Sequence, residues 1–93
     1  MREVGEIVLE VVSPKGSVLR QAGLDEVVLR RREPDHDPGS EIAILPRHGP
    51  TLVQVCEHEV RYRSGERGAR IHVGPGIAEI ADDTVTLVVS SAG

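Results

Sequence analysis

Ile71-His72-Val73-Gly74-Pro75-Gly76-Ile77-Ala78-Glu79-Ile80-Ala81-Asp82-Asp83-Thr84-Val85-Thr86-Leu87-Val88-Val89 is the stretch on which the fold turns. Apolar residues recur at every second position, first at Ile71 and Val73 and again at Val85, Leu87 and Val89. A period of two places such residues on one face of an extended chain. The runs are cut by Gly74-Pro75-Gly76 and by Asp82-Asp83, residue types that favour tight turns. Short alternating runs between turn signals predict strands with one dry and one wet face.

The same grammar extends toward the N-terminus. Ile7, Leu9 and Val11 share one face of a first strand, and Pro14-Lys15-Gly16-Ser17 is a turn signal. Val18 to Ala22 reads as a second strand. Leu24 to Arg32 reads as a third, with Val27 and Leu29 on one face. A polar loop over Pro34 to Ser40 precedes Ile42 and Ile44. Pro46-Arg47-His48-Gly49-Pro50 is a rigid turn before the apolar run Thr51 to Cys56. Val60 and Tyr62 alternate with Arg61 and Arg63, and Ser64 to Gly68 reads as a hairpin loop. About eight to ten strands at intervals of roughly 8–12 residues predict an all-β, ten-stranded antiparallel sandwich. The whole chain, 1–93, forms a single domain without repeats or linkers.

Composition agrees with this and excludes several functions. The chain has no Phe or Trp, one Tyr and one Met, so Val, Ile and Leu must fill the core. Ten Gly and six Pro fit frequent turns. A net charge of −4 offers no basic excess for a nucleic-acid backbone. The single cysteine, Cys56, excludes an internal disulfide and fits a reducing compartment. Arg2, Glu3, Glu6 and Glu10 interrupt the N-terminal region, so neither a signal peptide nor a membrane span is expected.

Candidate chemical groups are sparse. Asp35-His36-Asp37 supplies two carboxylates and an imidazole, but on one short segment and without zinc-site spacing; a solvated loop is the simpler reading, and no metal or cofactor is expected. Cys56 and His58, at i and i+2 on a strand, would share a face, yet no third orienting group accompanies them. A structural cysteine is therefore expected. Arg30-Arg31-Arg32 and Arg61, Arg63, Arg67 and Arg70 lack interleaved aromatics and stand among Glu26, Glu33, Glu57, Glu59 and Glu66. They read as a solvated face or as cross-strand ion pairs. No acid/base pair or phosphate loop points to an enzyme.

Several segments resemble the epsilon subunit family of F-type ATP synthases, called delta in mitochondria. They are Leu9 to Gly16, Asp25 to Leu29, Ser40-Glu41-Ile42-Ala43-Ile44-Leu45-Pro46-Arg47-His48-Gly49-Pro50, His72 to Ile80, and Asp82 to Leu87. The third is similar to the family's Gly-Glu-hydrophobic-Gly-hydrophobic-hydrophobic-Pro-Gly-His-Ala-Pro pattern, and the resemblance spans about residues 9–92. Departures are Arg47 for a usual Gly, Gly49 for Ala, Pro75 for Gly, and Glu57-His58 at a turn that is usually Pro-Gly. The resemblance implies the family's N-terminal β-sandwich without its C-terminal helical hairpin, so regulation by those helices is not carried over.

The implied function is that of a non-catalytic rotor subunit that binds the gamma subunit and the c-ring, coupling ion translocation to ATP synthesis or hydrolysis. It would be peripheral at the cytoplasmic face of the membrane, held there by other subunits. The resemblance implies that Glu41, Arg47 and His48 face the ring and that the segment Gly74, Pro75, Gly76 and Ile77 lies near gamma. A domain built to sit between partners exposes adhesive surface alone, through which the isolated chain could form homodimers. The alternative is a free-standing β-sandwich interaction module with an unrelated partner.

Overall fold

Strand formation follows the alternation of the sequence, and the computed structural model describes residues 5–32 and 40–93. Nine strands form among the described residues: β1 (Ile7–Ser13), β2 (Gly16–Leu24), β3 (Glu26–Arg30), β4 (Glu41–Ile44), β5 (Thr51–Val55), β6 (His58–Ser64), β7 (Arg67–Val73), β8 (Gly76–Ala81) and β9 (Thr84–Val89). They make two sheets, a five-stranded one in the order β2-β1-β9-β8-β5 and a four-stranded one in the order β4-β3-β6-β7. The expected all-β sandwich is thus present.

Three details depart from the sequence reading. β1 and β9 pair in parallel, with Leu9 opposite Val85 and Val11 opposite Leu87, whereas every other ladder is antiparallel. Alternation identifies a strand's faces but carries nothing about the direction of its neighbour. The expected strand Leu24 to Arg32 is also divided. Leu24 ends β2, β3 ends at Arg30, and Arg31 makes an isolated bridge to Val55 of the other sheet. The loop Ser64–Gly68 contracts to a two-residue turn, because Ser64 pairs with Arg67. The expectations for residues 33–39, including Glu33 and Asp35-His36-Asp37, and for Arg2 and Glu3 lie outside the described residues.

One aliphatic core joins the sheets. Ile7, Leu9, Val11, Ala78, Ile80, Val85, Leu87 and Val89 point in from the larger sheet, and Val27, Leu29, Ile44, Val60 and Val73 from the smaller. Burying each of these larger side chains contributes about 1.5–3 kcal/mol. Among the described residues, no polar or charged side chain is buried. Tyr62, Ile42 and Ile71 are partly buried at the margin of the core.

Two crossing segments close the flanks. After β3, Arg32 N–H donates to Gln54 O at 2.8 Å, which carries the chain from the small sheet onto the edge strand β5. After β9, Ala92 bridges to Val73, and Gly93 N–H donates to His72 O at 2.9 Å, which covers the edge of β7. Both contacts occupy backbone groups that an edge strand would otherwise leave open for pairing with another chain.

Candidate interaction surfaces

The register places the expected residues at defined positions. β4 is an edge strand; Glu41 lies opposite Arg30 at one end of it, and Ile44 lies opposite Val27 at the other. Arg47 and His48 follow Ile44, so they lie together, while Glu41 is a strand-length away, about 10 Å or more along the edge. Arg47 has φ of 66°, the left-handed region that disfavours a side chain. Its N–H donates to Asp83 Oδ1 at 2.6 Å, which ties this turn to the β8–β9 hairpin. Asp82 and Asp83 have φ of 51° and 58°, as a type I′ hairpin turn requires. His48 Nδ1 donates to Gly49 O at 2.9 Å, and Thr51 Oγ1 donates to the same oxygen at 3.0 Å. The turn is therefore braced from inside as well as by its flanking prolines.

Gly74, Pro75, Gly76 and Ile77 stand at the opposite end of the five-stranded sheet from Asp82-Asp83. Gly74 N–H donates to Ser91 O at 2.8 Å, and Pro75 O accepts from Ser90 N–H at 3.0 Å. A Cβ on Gly76 would lie 2.0 Å from Val88 O, so only glycine fits.

Beyond this turn the outer face of the larger sheet becomes aliphatic. Ile77 is paired with Val88, and Val88 with Val12. Ile77 is 48 % exposed, Val88 56 % and nearby Leu52 71 %. Of this row the sequence reading singled out only Ile77. The signal for Val88 was present: Thr84, Thr86 and Val88 alternate with the inward Val85, Leu87 and Val89, so Val88 is an outward apolar residue where two threonines precede it.

The outer face of the smaller sheet is charged and self-paired. Arg61 Nη2 meets Glu41 Oε2 at 2.8 Å, and Arg30 approaches the same oxygen at 3.6 Å. Arg63 pairs with Glu26 at 3.4 Å, and Arg70 with Glu59 at 3.7 Å. Arg30, Arg61, Arg63 and Arg70 thus combine the two readings offered by the sequence, a solvated face whose arginines pair with carboxylates across strands. Val28 and Ala43 floor a groove of about 680 Å³ between them.

Cys56 and His58 do not share a strand face, because Cys56 falls in the turn before β6. Both instead reach Arg30. Cys56 N–H donates to Arg30 O at 3.3 Å, and Cys56 Sγ lies 3.7 Å from it. Arg30 N–H donates to His58 Nε2 at 3.0 Å, while His58 Nδ1 donates to Cys56 O at 2.6 Å. The imidazole is therefore the neutral Nδ1–H tautomer. Burial holds its pKa below the usual 6.5, with the Arg30 and His72 charges adding to the shift and the Cys56 hydrogen bond opposing it.

Residues 6–93 match the family described as ATP synthase, Delta/Epsilon chain, beta-sandwich domain. The chain belongs to this family. It is 33% identical over 90 residues to the ATP synthase epsilon chain of Desulfitobacterium hafniense, covering 95% of this chain and 61% of that relative. It is 36% identical over 86 residues to the ATP synthase epsilon chain of Acidithiobacillus ferridurans, covering 90% and 55% respectively. The chain thus spans about three-fifths of the length of the epsilon chains it matches. In fold it is similar to a chain in the cryo-EM structure of the Euglena gracilis mitochondrial ATP synthase, OSCP/F1/c-ring, with a TM-score of 0.77 at 18% identity, covering 100% of this chain and 56% of that one. A chain from the central stalk/c-ring structure of the Tetrahymena thermophila mitochondrial ATP synthase gives a TM-score of 0.71 at 12% identity, covering 99% and 69%.

Proposed function

We propose that this chain is the β-sandwich of a non-catalytic central-stalk subunit of an F-type ATP synthase, binding gamma and the c-ring so that ion translocation drives ATP synthesis, or hydrolysis drives ion pumping. The observation that carries the reading is the family match along residues 6–93. The gamma-facing surface is the Gly74-Pro75-Gly76 turn with Ile77, extended by Val88 and Val12. Its support is the exposed aliphatic pair Ile77 and Val88, which gains most from being covered by a partner. The ring-facing rim is the edge strand β4 with the turn after it. Arg47 and His48 are presented rigidly there, and Glu41 can exchange its Arg61 partner for a cation on the ring. A close-packed sandwich suits torque transmission between two interfaces, since such cores resist deformation. The subunit would sit peripherally at the cytoplasmic face, held by its partners; no helix among the described residues is long and apolar enough to cross a membrane.

Native mass spectrometry with the cognate alpha-beta-gamma complex tests the reading. One copy should bind per complex, and binding should disappear when gamma is omitted. The double substitution Ile77→Asp and Val88→Asp should weaken binding at least about a hundredfold, as losing central apolar anchors does. Undiminished binding by that variant would move the gamma surface elsewhere. Failure of the parent chain to bind at all would favour the free-standing module. The same aliphatic row is the expected contact of any homodimer of the isolated chain.

A further inference from the structure

We propose that His58 is a proton-operated latch: protonation of its Nε2 expels the ring from between β3 and β6 and frees the Arg30–Arg32 segment from β5. The geometry begins with the β3–β6 ladder, which runs Glu26 with Arg63, Val27 with Tyr62 and Val28 with Arg61. Continuing that register would set Arg30 opposite Glu59. The ladder stops short, and the imidazole stands in for the missing carbonyl, accepting from Arg30 N–H at 3.0 Å. A side chain that can lose its acceptor thus replaces a backbone group that cannot.

The position matters because the next residues form the crossing between sheets. Arg31 bridges to Val55, Arg32 N–H donates to Gln54 O at 2.8 Å, and Cys56 N–H donates to Arg30 O at 3.3 Å. His58 therefore braces the start of a segment that closes one flank of the sandwich. A proton on Nε2 would set N–H against N–H and leave Arg30 N–H without a partner. His58 Nδ1 already donates to Cys56 O, so turning the ring over within its place offers no second acceptor.

The charged and titratable groups around the ring are Arg30 from β3, Glu41 from β4, His72 from β7, and Glu59 and Arg61 on its own strand, all lining one pocket of about 510 Å³. Glu57, just before β6, pairs with His72 at 2.8 Å. Arg30 and His72 disfavour a charge on His58, Glu41 favours one, and burial disfavours it most. The folded-state pKa is thus depressed below 6.5. The stabilisation is complete above 6.5 and is lost as pH falls from there through the folded value.

Amide hydrogen exchange by NMR, corrected for intrinsic rates, tests the latch on the intact chain between about pH 7.5 and about pH 5. Protection of the Arg30 and Arg32 amides should fall by up to about tenfold per pH unit from 6.5 down to the folded value and level off below it, while the β1–β9 ladder stays protected. His58→Gln, whose Oε1 accepts from N–H but does not titrate, should give a flat profile. His72→Gln should retain the wild-type fall. Nitrogen-15 spectra near pH 7.5 should show the proton on Nδ1 and a bare Nε2. A pH-independent wild-type profile, an equal fall in His58→Gln, or a proton on Nε2 would each overturn the proposal. The nitrogen spectra and the wild-type exchange decide the matter alone if His58→Gln does not fold.

Discussion

The outer faces of the two sheets carry opposite chemistry on equivalent scaffolds. On the five-stranded sheet, Val12, Val88 and Ile77 form an aliphatic row across β1, β9 and β8. On the four-stranded sheet, Glu41, Arg61, Arg30, Arg63, Glu26, Arg70 and Glu59 answer one another's charge. Both faces are wet in the isolated chain, yet among the described residues the large exposed aliphatic side chains that lie within strands, Val18, Leu52, Ile77 and Val88, all belong to the five-stranded sheet. The difference separates a face that gains from a partner from one that is already satisfied.

The largest effect should come from breaking the scaffold under the aliphatic row. Gly76→Ala forces a Cβ to within 2.0 Å of Val88 O, a backbone atom that cannot turn aside. The expected loss is about 3 kcal/mol or more in urea unfolding, a cost typical of steric conflict in a packed strand pair. Next is the clip that ties the hairpin of the larger sheet to the turn leaving the smaller one. Asp83→Ala removes the acceptor of Arg47 N–H and should cost about 2 kcal/mol in the same assay, as a charge-assisted hydrogen bond does. Arg47→Gly should act in the opposite sense. It relieves the left-handed strain of about 1–2 kcal/mol but adds chain entropy, for a net gain of about 0.5–1 kcal/mol.

The smallest effect should be on the charged face. Glu41→Gln removes the partner of Arg61 and Arg30, both ends of which are substantially exposed. The change should be at most about 0.5 kcal/mol and should vanish at high salt. A larger, salt-resistant loss there would break the contrast, because it would make the ion-pair face a structural element.

Legibility in the sequence followed the period of two. Leu9, Val11, Val27, Ile44, Val73, Val85 and Leu87 were readable as inward residues, and all are buried. The Asp82-Asp83 and Gly74-Pro75-Gly76 turns were readable from residue type: Asp82-Asp83 separates β8 from β9, and Gly74-Pro75 separates β7 from β8, which Gly76 opens. Val88 was overlooked because an outward valine in an otherwise buried-looking strand resembles more core. His58 was read through its neighbour Cys56, and its actual partner, Arg30, lies 28 positions earlier. No local spacing contains that pairing.

By itself the sequence determined that this is an all-β chain with an aliphatic core, where most of its turns fall, and which family it resembles. These depend on short-range patterns: side-chain alternation, turn-forming residues and motif order. Only the tertiary structure decided that β1 and β9 run in parallel, that the segments after β3 and β9 cross between sheets, and that an imidazole completes a backbone ladder. Each of those rests on which strand lies beside which, a choice made by the packing of the core as a whole and written in no single stretch of the chain.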